Sequence, residues 1–432
     1  MERTWDIPDN GMIEDKGKLQ MKKKRIPMPK GAKGVRQSSL AYERAKGNKR
    51  PGLIFLIPSL AWGGAEKIAS ILSPYLALHF DLTLALLENR ISFPVPKGVR
   101  LVTFSGPLRS QAAHVTRIPH HLLSLIRLVR RHQVRVVMSF MEQANILNIL
   151  AAAVTGHHAV ISQHTARHKQ SVSRGLLGRL ILAISRRLYP KASHALAVSR
   201  GIRKILLADY GLDPNLITVM PNPIDYEAIA EQAAASPAFP LPPKFLLHVG
   251  RMQLAHKAHD VLLAAFHILY KKYPNLSLVL VGDGPDQKEI EDHTKSLGLG
   301  DAAMFAGWQS NVASFMARAQ ALILCSRHEG WPTVLVEAMA CGCPVVATDC
   351  LTGPREILGD NEYGILVPVD FPEALSQAVQ RILENKSIRA YYQKKGRRRA
   401  QDFDLERIGS KYTSLLKKTM KYQYNSNIEY EP

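Results

Sequence analysis

The sequence predicts an α/β protein built from two doubly wound parallel sheets. From Gly52 onward, short buried apolar runs alternate with longer amphipathic helical patterns, and the alternation starts again in the second half of the chain. The length supports two or three domains, because 432 residues exceed what one ordinary core encloses. With 46% hydrophobic residues, the chain can bury two such cores, and we expect two Rossmann-like domains.

The elements follow from the position of each apolar run. Strands are predicted in the first half at 53–57, 82–87, 134–139, 159–162 and 195–198. Helices are predicted between them at 65–78, 118–132, 144–155, 174–188 and 200–209. Further strands are predicted, with helices between them, at 245–249, 276–281, 321–324, 345–347 and 365–367. In open parallel sheets ligands bind at the carboxyl ends of the strands, so the residues there are the candidates for function.

The two domains are predicted to join within residues 221–243. Asn222-Pro223 and the run ASPAFPLPP interrupt the alternating pattern there, and we interpret Asn222 as structural. The predicted organisation is listed in chain order: a basic arm at 1–50, an N-terminal domain at 51–222, a C-terminal domain at 223–400, a helix at 401–420 and a tail at 421–432.

The net charge of +21 is typical of proteins that meet nucleic acid, an anionic membrane surface or anionic substrates. The first 50 residues hold fourteen Lys or Arg against six Asp or Glu, without a sustained apolar period, so we predict a mostly disordered arm. Two interpretations of the arm stay open: a solvated tail without a partner, and attraction to anionic lipid. Nucleic acid is not expected, because interleaved aromatic residues and a nucleic-acid motif are missing. The segment RGLLGRLILAISRRLY suits either a membrane-surface helix or a core-facing helix.

The sequence gives no sign of a membrane span or a secretory signal. No apolar run reaches the roughly 18–20 residues of a span, and the N-terminus carries acidic residues without an apolar core. The four cysteines lack the spacing of a zinc site, so we expect free thiols in a reducing cytosol.

Glu329 and Glu337 lie in the stretch SRHEGWPTVLVEAMACGCPVVAT, which carries the most information in the chain. A buried strand and a loop precede Pro332, which suits a helix start, and Gly342 suits the position just past the helix end. Free N–H groups at the helix start suit a phosphate or diphosphate, and they come from Thr333, Val334 and Leu335. The two carboxylates can accept hydrogen bonds from sugar and ribose hydroxyls. The plainer alternative is two surface glutamates flanking a capped helix.

Two cations follow the predicted strand FLLHV. Arg251 comes directly after Gly250, and Lys257 lies six residues further on. Cations in a loop at a strand's carboxyl end suit a diphosphate and the charge that grows on a departing nucleotide. A solvated basic loop is the alternative.

Two glycine pairs and one histidine are the remaining candidate site residues at the ends of predicted strands. Gly64 belongs to the Gly63-Gly64 pair that opens a helix, and Gly282 begins a tight turn, Gly282-Asp283-Gly284-Pro285. Neither pair forms G-x-G-x-x-G, so a nicotinamide cofactor is not indicated. His164 stands just past a strand, where a histidine is more often a structural hydrogen-bonding group than a catalytic residue.

Asp402-Phe403-Asp404 has the spacing of an Asp-x-Asp metal site. It precedes the amphipathic pattern LERIGSKYTSLL, however, so Asp404 is predicted to be a helix N-cap. No metal site is predicted.

Together these motifs resemble the retaining GT-B glycosyltransferases of the GT4, glycogen-synthase-like family, of the bacterial surface-glycan type. The resemblance spans about residues 52–420 and implies two Rossmann-like domains facing a central cleft. It implies a nucleotide-diphosphate sugar, a UDP-sugar, as donor, without cofactor or metal. It places Glu337 on the ribose, Arg251 and Lys257 on the diphosphate, and Glu329 and His164 at the transferred sugar. Gly64 would approach the donor and acceptor, and Gly282 the nucleotide base. The family has Lys-Gly where this chain has Lys257-Ala258, which restricts the loop.

The same resemblance implies that the N-terminal domain binds a glycan acceptor. With the basic surface, it favours a polyprenyl-diphosphate-linked acceptor and a cytoplasmic enzyme that is peripheral at the inner face of the cytoplasmic membrane. A nucleotide-sugar epimerase or a phosphorylase of the same fold remains an alternative. A non-catalytic basic protein that binds membrane or nucleic acid is the alternative from another class.

Overall fold

The computed structural model describes residues 6–8, 23–25, 50–61, 63–95, 98–107, 116–165 and 175–421. The chain divides into two compact units, residues 1–49 and 50–432. In the first unit two short strands, β1 (Asp6–Pro8) and β2 (Lys23–Arg25), pair antiparallel. The rest of the arm, for which the sequence predicts disorder, lies outside the described residues, as does the tail from residue 422.

The N-terminal domain contains a seven-stranded parallel sheet in the order β5-β4-β3-β6-β7-β8-β9. Its strands are β3 (Gly52–Ile57), β4 (Asp81–Leu86), β5 (Arg100–Thr103), β6 (Val136–Phe140), β7 (His158–Gln163), β8 (His194–Ala197) and β9 (Ile217–Val219). Its helices are α1 (Gly64–His79), α2 (Ile118–His132), α3 (Glu142–Thr155), α4 (Gly175–Leu188) and α5 (Arg200–Tyr210). The inner strands are buried on both faces, as expected for a parallel sheet covered by helices.

The C-terminal domain contains a six-stranded parallel sheet in the order β12-β11-β10-β13-β14-β15. Its strands are β10 (Phe245–Val249), β11 (Ser277–Val281), β12 (Ala303–Gly307), β13 (Ala321–Leu324), β14 (Val345–Thr348) and β15 (Ile365–Val367). Its first helices are α6 (Tyr226–Ala234), α7 (Leu254–Lys257), α8 (His259–Lys272), α9 (Gln287–Ser296) and α10 (Ala313–Met316). They are followed by α11 (Thr333–Ala340), α12 (Pro354–Leu358), α13 (Pro372–Glu384) and α14 (Lys386–Ala400). The prediction of two doubly wound parallel sheets is confirmed.

The local sequence explains where the helices begin and end. In α5, the Ser199 hydroxyl accepts the N–H of Ile202 at 3.1 Å, and Gly211 ends the helix with φ of 66°. Pro119 lies in the first turn of α2, where its missing N–H leaves no helical bond unmade. These signals fix the helices that follow each strand and so fix which loops line the carboxyl edge of each sheet.

The chain crosses between the two domains twice, and the two crossing segments pair with each other. Ile224 forms a parallel bridge with Asp404, and its N–H donates to the Phe403 carbonyl at 2.9 Å. The last described helix, α15 (Leu405–Lys421), then packs on α1, where Gly409 lies against the ring of Tyr75. The predicted C-terminal helix is therefore part of the N-terminal domain's packing.

Candidate active site

A nearly buried ion pair joins two loops at the carboxyl edge of the C-terminal sheet. Lys257 Nζ lies 2.6 Å from Glu329 Oε1, and their side chains are only 14% and 10% exposed. Burial alone would raise the pKa of the Glu329 carboxyl, but the charges of Lys257 and His256 outweigh burial and hold it below its ordinary value. Two of the predicted site residues, from neighbouring strands, are thus brought together as a charged pair.

The loop that carries Lys257 has a left-handed backbone conformation at Ala258, which an alanine rarely adopts. Ala258 has φ of 50° and ψ of 49°, a left-handed conformation that costs an alanine about 1–2 kcal/mol. The Cys325 thiol donates to the carbonyls of Lys257 and Ala258 at 3.0 and 3.3 Å, and the Ala258 side chain is buried. The surrounding contacts therefore hold alanine in a conformation that suits glycine.

The glycine turn after β11 is explained by close backbone packing. A Cβ on Gly282 would lie 2.0 Å from the Gly250 carbonyl oxygen, and one on Gly284 would lie 2.3 Å from that of Met252. Arg251, between these contacts, is exposed and makes no hydrogen bond to any described residue. The loop that precedes Lys257 is thereby fixed, while the Arg251 guanidinium stays available to a ligand.

Helix α11 places Glu337 about one turn inside the helix, as predicted, but Pro332 lies one residue before the first helical position that was predicted for it. The helix begins at Thr333 with Pro332 as the N-cap, Glu337 is its fifth residue, and Gly342 follows its end with φ of 74°. The Leu335 N–H donates to the Pro332 carbonyl at 3.1 Å, which engages one of the three predicted N–H donors. The assignment of Thr333, Val334 and Leu335 to a ligand stays a prediction.

Glu337 has a partner that the sequence did not reveal. Lys67 of α1, in the other domain, places its Nζ 2.7 Å from Glu337 Oε1. A cation in the first turn after the Gly63-Gly64 pair is the signal that could have pointed to Lys67. This ion pair crosses the cleft between the two domains.

His164 lies at the carboxyl end of β7 and faces the C-terminal domain through its backbone. Its Nε2 is 3.0 Å from the Ser162 hydroxyl, its ring lies 4.3 Å from that of Phe140, and burial lowers its pKa to about 3. A Cβ on Gly330 would lie 1.9 Å from the His164 carbonyl oxygen. The neutral imidazole is therefore a polar group at the cleft, next to the loop that holds Glu329.

Gly64 differs from the other site glycines, because a Cβ there would meet no atom within 4 Å. The protein itself does not require a glycine at this exposed position. Free space at the first residue of α1 leaves room for close approach of a ligand, as the resemblance implies.

A second contact between the domains uses a carboxylate as a helix cap. Glu356 of α12 accepts the backbone N–H groups of Arg200 and Gly201 at 2.7 and 2.9 Å, at the start of α5. Gly201 also packs against Thr352 of the opposite domain. Neither contact was predicted, because nothing in the sequence relates segments 155 and 156 residues apart.

Two buried histidines under the Arg251 loop were also missed. His248 donates its Nδ1–H to the Ile323 carbonyl at 3.0 Å, and the His259 ring lies 4.8 Å from the His248 ring. Burial lowers both pKa values, that of His259 to about 4, so both rings are neutral near pH 7. Both histidines therefore pack as uncharged side chains beneath the loop that carries Arg251.

The carboxylates of Asp402 and Asp404 accept hydrogen bonds from arginine side chains and backbone N–H groups. Asp402 accepts from Arg399 at 3.0 Å and Arg407 at 2.8 Å, while Asp404 accepts the N–H groups of Tyr226 and Glu406 at 3.2 and 3.4 Å. Asp404 thus takes the N-cap place at the start of α15. Across the described residues, no group of three His, Cys, Asp or Glu side chains is arranged to hold a metal ion.

Comparison with known proteins assigns the class. Residues 62–228 match the family described as Glycosyltransferase Family 4, and residues 230–399 match Glycosyl transferases group 1. A Campylobacter jejuni protein, N-acetylgalactosamine-N,N'-diacetylbacillosaminyl-diphospho-undecaprenol 4-alpha-N-acetylgalactosaminyltransferase, is 30% identical over 357 residues, which are 82% of this chain and 95% of that protein. The chain therefore belongs to the GT4-type glycosyltransferases.

Two further proteins support this class and fold. A second Campylobacter jejuni enzyme, GalNAc-alpha-(1->4)-GalNAc-alpha-(1->3)-diNAcBac-PP-undecaprenol alpha-1,4-N-acetyl-D-galactosaminyltransferase, is 24% identical over 84% of this chain and 97% of its own. The crystal structure of Anabaena HepE in complex with UDP and glucose superposes with a TM-score of 0.70 at 20% identity, covering 85% of this chain and 100% of that one. The two parallel-sheet domains of this chain have the GT-B fold.

Proposed function

We propose that this glycosyltransferase moves a hexose or N-acetylhexosamine from a UDP-sugar to a polyprenyl-diphosphate-linked glycan, with retention at the anomeric carbon. The observation that carries the proposal is the Lys257–Glu329 pair beside the start of α11. This pair places a cation that can bind a diphosphate next to a carboxylate that can accept hydrogen bonds from sugar hydroxyls, both at the carboxyl edge of the C-terminal sheet. The names of the two Campylobacter relatives support the lipid-linked acceptor and favour an N-acetylhexosamine.

In this proposal the C-terminal domain binds the donor. Arg251 and Lys257 contact the diphosphate, Glu337 accepts hydrogen bonds from the ribose diol, and Glu329 accepts them from the sugar. The acceptor oxygen forms a bond to the anomeric carbon while the bond from that carbon to the diphosphate oxygen breaks. The bonding electrons stay on the diphosphate, which takes the acceptor proton, and the two cations stabilise the charge. His164, being neutral, supplies a polar contact to the sugar.

A release assay across a panel of nucleotide sugars tests this function. UDP-, GDP- and ADP-sugars are each offered with and without a polyprenyl-diphosphate disaccharide, and the released nucleoside diphosphate and the glycolipid product are measured. We expect acceptor-dependent release from a UDP-sugar and an unchanged anomeric configuration by NMR. Release without an acceptor would favour hydrolysis, epimerase or phosphorylase chemistry, and an inverted product would remove the retaining mechanism.

Substitution of Glu337 by Ala is expected to weaken nucleoside-diphosphate binding about 10- to 100-fold. Hydrogen bonds to a charged carboxylate contribute about 1.5–3 kcal/mol each, and the ribose diol would lose them. Calorimetric titration with UDP measures the effect. The control is Glu384→Ala, which breaks another 2.7 Å lysine pair, outside the cleft, and should leave binding unchanged. Equal affinity of Glu337→Ala and the unaltered protein would contradict the ribose assignment.

Turnover is expected to survive EDTA, because Arg251 and Lys257 would neutralise the leaving diphosphate in place of a metal ion. Initial rates are compared with EDTA in excess and with added Mn²⁺. Loss of activity in EDTA that Mn²⁺ restores would contradict this proposal and return Asp402 and Asp404 to consideration.

For the membrane, we propose that α2 and α4 form a docking surface at the inner face of the cytoplasmic membrane. Leu123 of α2 is 50% exposed, and Leu180 and Ile184 of α4 are 55% and 39% exposed. The same two helices carry exposed arginines at positions Arg127, Arg130, Arg131, Arg179 and Arg187. Helix α3 contacts both helices, and no helix among the described residues is long and apolar enough to cross a membrane. Apolar side chains framed by cations suit an anionic lipid surface.

The full-length chain is therefore expected to sediment with anionic vesicles at low salt and to be released near 0.5 M salt. Each Lys or Arg near the surface contributes about 1 kcal/mol, and salt screens this attraction. Deleting residues 1–49, or replacing Leu180 and Ile184 with Ser, should weaken binding without abolishing transfer to a soluble acceptor. Phe371→Ser, which alters an exposed apolar residue of the other domain, is the control. Equal sedimentation with neutral and anionic vesicles would contradict the electrostatic part.

A further inference from the structure

Lys67 is the cation that pairs with the Glu337 carboxylate across the cleft. Its ammonium group is 2.7 Å from Glu337, the carboxylate proposed to bind the ribose, and it remains 40% exposed while Glu337 is 11% exposed. The ribose hydroxyls and the Lys67 ammonium are both donors, so they compete for Glu337 Oε1, the oxygen that Lys67 contacts. A ribose that bonds to Glu337 through both carboxylate oxygens has to displace Lys67.

The location of Lys67 on its helix is unfavourable unless an anion lies nearby, and in this structure Glu337 is that anion. It is the fourth residue of α1, at the helix end that carries partial positive charge and disfavours a cation. Its neighbour Gly64 has free space around it, so an anion can approach the start of α1 closely. The same helix start therefore presents a lysine and room for a ligand.

The geometry points to Lys67 as a phosphate-binding residue that the N-terminal domain supplies to the donor. We infer that Glu337 holds Lys67 while the cleft is empty. When the ribose diol takes Glu337, the ammonium group turns to the diphosphate. The inference rests on the proposed function and adds a phosphate contact from the opposite domain.

The second ion pair of the cleft follows the same logic. Lys257 is held by Glu329, and a bound donor would give sugar hydroxyls to Glu329 and a diphosphate to Lys257. In both pairs the ligand replaces a cation on the carboxylate by hydroxyls and offers that cation a phosphate. In these two pairs each charged group therefore keeps a hydrogen-bonding partner before and after binding, which limits the desolvation cost of each step. Lys257 belongs to the donor domain, whereas Lys67 links donor binding to the approach of the N-terminal domain.

The test compares UDP, which carries the diphosphate, with uridine, which has the ribose but no phosphate. Dissociation constants for UDP and for uridine are measured with the unaltered protein and with Lys67→Gln. We expect UDP to bind at least about 5-fold more weakly to the variant, since a charge-assisted phosphate contact is lost. Uridine has no phosphate and no longer competes with Lys67, so its affinity should stay equal or increase. Lys67→Arg keeps the charge and should retain most of the UDP affinity.

Lys272→Gln is the matched control, because it breaks a lysine–glutamate pair of the same 2.7 Å length away from the cleft. Equal weakening of UDP and uridine by Lys67→Gln would show that the pair only holds the domains together, and unchanged UDP binding would show no phosphate contact; either result overturns the inference. If the unaltered protein binds none of UDP, GDP and ADP, the proposed function itself fails, which is a distinguishable result.

Discussion

Replacement of Lys257 by Met is expected to lower turnover at least about 100-fold and to destabilise the fold. Removal of one preorganised charge from a transition-state site typically costs about 10²–10³ in rate. Removal of one partner from a buried pair leaves the other charge uncompensated, at a cost of about 3–5 kcal/mol. Here Glu329, only 10% exposed, is the group left behind. Steady-state kinetics and urea unfolding measure the two effects on the same variant.

The double variant Lys257→Met/Glu329→Gln separates the fold from the chemistry. Its neutral amide removes the uncompensated charge, so stability should recover most of the loss. Turnover should remain low, because the cation is still absent and the Glu329 carboxylate no longer accepts hydrogen bonds from the sugar. Recovery of turnover together with stability would contradict a direct role for Lys257 at the diphosphate.

The pH dependence of stability gives an independent check with a defined sign. In the unaltered protein the pKa of Glu329 lies below its ordinary 4.5, so its contribution is present above that pH and is lost as the pH falls through the folded-state pKa. In Lys257→Met, burial dominates and raises this pKa. The variant should therefore lose stability relative to the unaltered protein as pH rises above about 4.5. Unfolding curves at about pH 5 and pH 7 compare the two.

In the sheets of the two domains, the sequence predicted the inner strands well and missed three edge strands. The missed strands are β5, β9 and β12, and each pairs with only one neighbour. An edge strand is covered less completely, so Arg100–Thr103 lacks the continuous apolar run that identifies an inner strand. The inner strands 245–249 and 321–324 were predicted with the bounds that the structure shows, because buried runs mark both ends.

For the site, the sequence predicted residues within one domain and missed contacts between domains. Glu329 and Lys257 follow adjacent strands of one sheet, so topology alone brings them together. Lys67 and Glu337 are 270 residues apart on separate sheets, and their contact depends on the closure of the cleft. The structure also shows Ala258 in the left-handed conformation that the Lys257-Ala258 dipeptide made doubtful.

Replacement of Gly330 by Ala is expected to lower turnover about 100-fold while each domain stays folded. The new Cβ would lie 1.9 Å from the His164 carbonyl oxygen, so either the Glu329 loop or the whole opposite domain must move by more than 1 Å. A displacement of about 1 Å at a reacting centre can reduce the rate about 100-fold. His164 belongs to β7's carboxyl end and Gly330 to the Glu329 loop, so the clash falls where the two halves of the site meet.

A control variant and a binding measurement distinguish a loss of contact between the two domains from a loss of folding. Gly300→Ala makes the same chemical change in the C-terminal domain where a Cβ meets no atom within 4 Å, and it should leave both stability and turnover unchanged. UDP binds mainly to the C-terminal domain in our proposal, so calorimetry should find Gly330→Ala binding UDP within a few-fold of the unaltered protein while turnover falls. Turnover within about threefold of the unaltered protein would show that catalysis does not need the contact between Gly330 and His164. That result would place the reacting geometry in a more open cleft, because this contact exists only where the two domains touch.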